Sequence, residues 1–232
     1  MSTWPAAVLF DFDGVIVNSE PVHFNAFAKL LAEEQIPLGE EEYYAELIGF
    51  DDRGAIRHML AKHGRPADDA RVEALKARKF KLMQQLLATG VVPALPGVKD
   101  FVRRLSKHYP LAICSGAVKP EIEIMLDGVG LRDCFSVIVA ADDVSVGKPD
   151  PMGYLLTTKR VAEQMGRKLS PADVLIIEDA PIVVESVRRE GFLVLAVTTS
   201  YPADALERAK ANWVVDSLEP SEVADKIAEL RL

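Results

Sequence analysis

Cysteine is scarce in this chain. Cys114 and Cys134 are the only two among 232 residues, and they have neither the spacing of a metal knot nor the number for a disulfide framework. A reducing, cytoplasmic setting is the expectation. Long apolar runs are missing as well: none approaches the roughly 20 residues that a membrane-spanning helix needs. The opening residues show no basic segment followed by a signal-type apolar run, so export is not expected. Positive charge is in deficit, with 27 Lys and Arg against 35 Asp and Glu and a formal charge of −8. That balance argues against general affinity for nucleic acid or anionic membranes. It leaves room for a small phosphorylated ligand, because a few local positive groups can outweigh the total. The rest is ordinary: 49% hydrophobic and 27% charged residues, in a length that suits one sizeable domain or a core carrying a smaller insert.

Short apolar runs alternate with helical patterns from residue 95 onward. Ala6–Phe10 near the start, then Leu111–Cys114, Ser136–Ala140, Val174–Ile177 and Leu193–Val197, predict buried strands, and Val214-Val215 a short edge strand. Helices are expected near 97–107, 118–128, 151–165, 181–190, 203–210 and 219–230. Strands without strict polar alternation suit a parallel sheet covered on both faces. The expected class is therefore α/β, a Rossmann-like doubly wound parallel sheet. Residues 18–94 differ in character: amphipathic helical patterns near 21–35, 40–46, 52–63 and 68–88, and no convincing strand. Pro93-Ala94-Leu95-Pro96-Gly97 closes that stretch with turn chemistry. The expected organisation is a core of 1–17 and 95–232 interrupted by a helical insert, 18–94.

Four segments at or beyond the ends of these runs carry the chemistry. Asp11-Phe12-Asp13-Gly14 follows the first run. Side chains alternate along an extended chain, so Asp11 and Asp13 leave on one side and Phe12 on the other, while Gly14 permits a sharp exit. Two carboxylates at the end of a core strand are costly to bury and call for a cation or for solvent. That end is also where open α/β sheets place ligands. An ionised aspartate can attack phosphorus without an activating base, and a carboxyl two residues on can protonate the leaving oxygen and later deprotonate water. The competing account is a plain acidic turn.

Ser115-Gly116 offers a hydroxyl and an unobstructed backbone to an anion at a helix start, or is an ordinary turn. Lys148, followed by Pro149 and Pro151, is displayed from a stiffened segment. There it can offset charge on a phosphoryl group, or simply face solvent. Glu178-Asp179 ends the fourth core run. With Asp11 and the Asp13 carbonyl, Asp179 can complete a Mg²⁺ site of a few hard oxygens, Glu178 serving as a ligand or an orienter. An acidic helix cap is the rival reading.

The order of these segments resembles the haloacid dehalogenase-like phosphotransferase superfamily. Phe10-Asp11-Phe12-Asp13-Gly14-Val15 is similar to its first motif, Ser115 to its second, Lys148 to its third and Glu178-Asp179 to its fourth. Asn18-Ser19-Glu20-Pro21-Val22-His23 resembles the entry to the helical cap of the β-phosphoglucomutase/phosphoglycolate phosphatase branch. The resemblance implies Asp11 as nucleophile, Asp13 as general acid/base, Ser115 and Lys148 as phosphate binders, and Mg²⁺ on Asp11, the Asp13 main chain and Asp179; Gly116 joins the phosphate binders and Glu178 the metal candidates from the residues themselves. It implies a small phosphorylated metabolite as substrate, a cap built from the insert, and a monomer or weak dimer. His23, Arg53 and Lys119 are the candidates for substrate or cap contacts.

Departures from the pattern separate the possible activities. True dehalogenases resemble this chain but lack an acid at the place of Asp13. The mutases of the branch carry a basic stretch after the second-motif serine and a lysine before a cap glycine; here Ala117-Val118-Lys119 and Ile48-Gly49 stand instead. The expectation is a phosphatase, with a phosphosugar mutase as runner-up. A non-catalytic phospho-metabolite sensor is the reading from another class, disfavoured because Asp11 and Lys148 are both kept. Ala180-Pro181-Ile182 replaces the Ser-Pro and early glycine of many relatives, which leaves the packing of the next helix open. Arg71, Lys76, Arg78, Lys79 and Lys81 are expected to form a solvated basic helix face.

Overall fold

The apolar run near the start of the chain becomes strand β1 (Ala7–Phe10), buried along its whole length. A computed structural model describes residues 4–47, 50, 52–90, 92–228, 230 and 231. In it β1 is joined by β2 (Leu111–Cys114), β3 (Val137–Val139), β4 (Val174–Glu178), β5 (Leu193–Val197) and β6 (Trp213–Val215). All pair in parallel, in the order β3-β2-β1-β4-β5-β6. Strand order reverses direction at β1, so the crevice outside the carboxyl ends of β1 and β4 is the natural ligand position of this topology.

The helices are α1 (Glu20–Glu33), α2 (Glu40–Glu42), α3 (Asp52–Lys62), α4 (Asp69–Thr89), α5 (Val98–Leu105), α6 (Lys119–Val129), α7 (Met152–Met165), α8 (Pro181–Arg189), α9 (Ala203–Arg208) and α10 (Pro220–Lys226). Side-chain alternation sends Ala7 and Leu9 of β1 into a cluster with Tyr154 and Val161 of α7, Val183, Val184 and Val187 of α8, and Leu206 of α9. Phe10 points the other way, edge-on to Phe101 of α5 and Phe135. The sheet is therefore covered on both faces, as its unalternating strands require. The glycine absent after Glu178-Asp179 is not needed: Pro181 opens α8 at a first-turn position, and three valines fill the helix–sheet space. Among the described residues no helix is long and apolar enough to cross a membrane.

The chain divides into two compact units, Met1–Asn18 with Val92–Leu232, and Ser19–Val91. Within the first, the backbone leading out and the backbone returning are tied together. Val17 and Ala94 form an antiparallel bridge, and Leu95 N–H donates to Ile16 O at 3.0 Å.

The second unit holds α1 to α4, with a π-helical turn at Tyr43–Leu47 where a continuous helix was expected. Asp68 caps α4 by accepting from Arg71 N–H at 3.0 Å. The basic residues of α4 do not form one solvated face. Arg71 bonds Glu34 and Arg78 bonds Glu33 at 2.6 Å, both at the end of α1. Lys79 is 1% exposed. Its stem is covered because α1 packs directly on this side of α4, a contact that periodicity along α4 alone does not reveal.

Candidate active site

Register brings the site together. Phe10 pairs with Ile177, so the next residue on each strand, Asp11 and Glu178, leave the sheet side by side, and Asp11 N–H donates to Ile177 O at 2.9 Å. Cys114 of β2 pairs with Val139 of β3, and Ser115 N–H donates to Val139 O at 3.0 Å. Asp11, Ser115 and Asp179 each follow a different strand at the same edge. Lys148 comes from the segment after β3, just before a cis proline.

Lys148 is the hub. Its Nζ lies 2.7 Å from Asp11 Oδ1, donates to Glu178 Oε1 at 2.8 Å and to Tyr154 Oη at 3.1 Å, and sits 4.8 Å from the Tyr154 ring centroid. With its side chain 17% exposed, it is not the solvent-facing lysine of the rival reading. Asp11 Oδ1 also accepts from Phe12 N–H at 2.6 Å, which leaves Oδ2 as the oxygen with capacity to spare. Glu178, wholly buried, has both oxygens filled. Oε1 takes Lys148 and the Tyr154 hydroxyl (3.3 Å), while Oε2 takes the Asp179 and Ala180 N–H groups at 2.7 and 2.8 Å. A carboxylate so saturated is placed to orient Lys148 rather than to surrender an oxygen. Among the described residues no fully buried side-chain nitrogen or oxygen lacks a partner.

Its electrostatics are unbalanced. Burial pushes the Asp11 carboxyl well above the usual carboxylate range; Lys148 opposes that rise, and Glu178 and Asp179 add to it. Asp179 is pushed up to about 7, by burial first and then by Glu178. Burial acts against the Glu178 charge too, but Lys148 and two backbone N–H groups hold this carboxyl below its ordinary value. Lys148 is buried against its charge, yet Asp11 and Glu178 raise it well above the ordinary lysine value. One ammonium thus faces three carboxylates. One carboxylate oxygen from each of Asp11, Glu178 and Asp179 lies within 4.8 Å of the others. Hard oxygen donors with surplus negative charge fit Mg²⁺.

The remaining expected site residues divide by unit. Ser115 is buried, and its Oγ accepts from Ala117 N–H at 3.0 Å, so its own proton can be given to an anion. A Cβ on Gly116 would meet nothing within 4 Å, leaving open space beside that backbone. Asp13 is half-buried and bridges to Val17. Lys119 opens α6 and is exposed.

In the helical unit, His23 Nδ1 is 2.9 Å from Lys79 Nζ, which also donates to Asp52 Oδ1 at 2.8 Å and lies 4.9 Å from the Phe27 ring centroid. An ammonium has no lone pair, so His23 Nδ1 accepts and the neutral ring carries its proton on Nε2. Burial and then Lys79 lower the His23 pKa to about 4. Arg53 pairs with Glu73 at 2.5 Å across α3 and α4. Ile48 and Gly49, the positions weighed against the mutases, lie outside the described residues.

Sequence reasoning did not find Tyr154, Ser200, Lys79 or Asp52 as members of polar clusters. Tyr154 occupies an apolar position of α7, and its hydroxyl finds Lys148 and Glu178 only through the tertiary fold. Ser200 sits in a turn-like Thr-Thr-Ser-Tyr-Pro run, where its hydrogen bond to Asp179 leaves no local signature.

A family model described as haloacid dehalogenase-like hydrolase matches residues 8–197. Hexitol phosphatase A of Escherichia coli (strain K12) is 31% identical over 214 residues, covering 91% of this chain and 90% of that protein. The validoxylamine A 7'-phosphate phosphatase of Streptomyces hygroscopicus subsp. limoneus is 27% identical over 212 residues, 87% of this chain and 89% of that one. The crystal structure of CbbY from Rhodobacter sphaeroides in complex with phosphate superposes with a TM-score of 0.80, covering 98% of this chain and 99% of that one at 23% identity, a likeness of fold.

Proposed function

The chain belongs to the haloacid dehalogenase-like hydrolase family, and from that membership we propose that it is a Mg²⁺-dependent phosphomonoesterase working through an aspartyl-phosphate on Asp11. The observation that carries the reading is the Lys148 ammonium at 2.7 Å from Asp11, beside three carboxylates within 4.8 Å of one another, at the switch point of the sheet.

A carboxylate oxygen of Asp11 bonds to the phosphorus of the substrate, the bond from phosphorus to the leaving oxygen breaks, and Asp13 gives that oxygen its proton, releasing an alcohol. Asp13, now a carboxylate, takes a proton from water as the water oxygen bonds to phosphorus. The bond between phosphorus and Asp11 breaks, and inorganic phosphate leaves. Ser115, the Gly116 backbone and Lys148 hold the phosphoryl oxygens, and Glu178 keeps Lys148 in place. Asp11, the Asp13 carbonyl and Asp179 are the residues that would hold Mg²⁺, which, when bound, offsets phosphate charge so that a carboxylate can approach. The helical unit serves as the cap that limits bulk water and selects the leaving group.

Relatives named for hexitol and for validoxylamine A 7'-phosphate support a phosphorylated polyhydroxy compound as substrate. Phosphate release from p-nitrophenyl phosphate, with and without Mg²⁺, is the first test. Asp11→Asn is expected to lower kcat by at least about 10⁴, since no nucleophile remains; retained turnover would remove Asp11 from the chemistry. A panel of sugar and sugar-alcohol phosphates then identifies the substrate. Given β-glucose 1-phosphate with a trace of the bisphosphate, the enzyme is expected to release phosphate; accumulation of glucose 6-phosphate would make it a mutase.

A further inference from the structure

We infer that Ser200 is a positioning residue for the Mg²⁺ site, holding the Asp179 carboxylate in the orientation in which it meets the cation; the inference rests on the metal-dependent reading above. Ser200 lies outside all four motif segments, in the turn after β5. Its Oγ donates to Asp179 Oδ2. The same carboxylate lies against the backbone of Gly14, whose φ is +78°. A Cβ there would stand 2.0 Å from Asp179 Oδ2, 2.7 Å from Asp179 Cγ and 3.0 Å from Ser200 Oγ. The three groups are packed too closely for any side chain at position 14, so the glycine that turns the chain after β1 also makes room for the carboxylate that arrives from β4.

The terminal torsion of an aspartate is broad and by itself sets no unique plane for the carboxylate. Packing against Gly14 restricts where the group can lie, but van der Waals contact is not directional. The Ser200 hydroxyl supplies the directional contact, fixing the plane in which the remaining lone pairs are offered. Hydrogen bonds of this kind around a metal ligand change affinity even though they never touch the ion.

Ser200 is itself exposed, so a substitution there does not disturb the core. The test is calorimetric titration of Mg²⁺ into the purified full chain, wild type against Ser200→Ala and Ser200→Thr. Thermal melts establish that all three are folded. Ser200→Ala is expected to raise the Mg²⁺ Kd about tenfold, and Ser200→Thr, which keeps the hydroxyl, to stay close to wild type. The Mg²⁺ concentration for half-maximal phosphatase activation should rise in parallel for the alanine variant. An unchanged Kd in Ser200→Ala overturns the role of Ser200 and leaves the metal site standing. Equal weakening in both variants also overturns it, because the hydroxyl would then not be the cause. A wild-type chain that binds no Mg²⁺ overturns the metal reading and this inference together.

Discussion

Two lysines, one in each unit of this protein, sit on an aromatic ring beside a carboxylate, and the contrast between them separates a cluster with surplus negative charge from a balanced one. Lys148 lies over Tyr154 and meets Asp11 and Glu178, with Asp179 close by. Lys79 lies over Phe27 and meets Asp52 and the neutral ring of His23. Local contacts are similar, but the charge count is not. In the helical unit one cation answers one anion. At the sheet edge one cation answers three, and the surplus is carried by carboxyls pushed above their ordinary range. Surplus charge of one sign, enclosed by a well-packed fold, is what a bound counter-ion resolves.

The sharpest way to break this comparison is to remove each lysine in turn. Lys148→Met should lower kcat/KM by roughly 10²–10³, the usual cost of losing a charged group aimed at the reacting phosphoryl. Lys79→Met leaves Asp52 without its cation, but the Asp52 side chain is 29% exposed and can regain water. Its expected cost is about 2–3 kcal/mol of stability in the helical unit, below what a fully buried pair would lose. Most of that should return in Lys79→Met combined with Asp52→Asn. Denaturant melts and steady-state kinetics on the same preparations decide the matter. A Lys148→Met enzyme with wild-type kcat/KM would erase the distinction.

The pH response sharpens it next. His23 has a folded pKa of about 4 against an ordinary 6.5. Above the ordinary value both folded and unfolded chains hold it neutral, and stability is undiminished. Between the two values the unfolded chain takes up a proton that the folded chain refuses, so stability is lost on acidification, by on the order of 3 kcal/mol in full. Both tryptophans, Trp4 and Trp213, belong to the core unit. Amide hydrogen exchange in α1 and α4 therefore serves as the readout. Protection there should fall between pH 7 and pH 4.5 in the wild type and much less in His23→Gln, which cannot titrate. Equal falls in both would assign the response to other groups.

The smallest expected effect lies at Tyr154. Replacing it by Phe keeps the ring under Lys148 but deletes the hydroxyl that accepts from Lys148 and donates to Glu178. A cost of about 1 kcal/mol is expected in stability, with a several-fold fall in kcat. A neutral substitution would show that the ring alone seats the lysine.

Much of the site was legible because its residues break local rules. Asp11 and Glu178-Asp179 put carboxylates where an apolar strand has just ended, and Lys148 is fixed between a glycine and a proline. Such violations are visible without a fold. The six strands were legible for the converse reason, being short, apolar and regularly interrupted. What stayed hidden obeys every local rule. Tyr154 sits where a helix wants an apolar residue, Ser200 where a turn wants a small polar one, and Lys79 in a helix where lysine is welcome. Their roles come from partners far along the chain, 21 positions away for Ser200 and Asp179, and 56 for Lys79 and His23. The π-helical turn at Tyr43–Leu47 was hidden too, because its residues also suit an ordinary helix.

The bridge between Val17 and Ala94 has a consequence for how such a protein can diversify. A long unstructured excursion between β1 and β2 would burden the sheet with an entropic penalty that grows with its length. Here the excursion folds on itself and hands the backbone back within hydrogen-bonding reach of where it left. A replacement segment of different size or composition that returns the backbone to the same place is therefore expected to leave the sheet intact. Such a segment can change through inheritance while the strand ends that carry Asp11 and Asp179 keep their register.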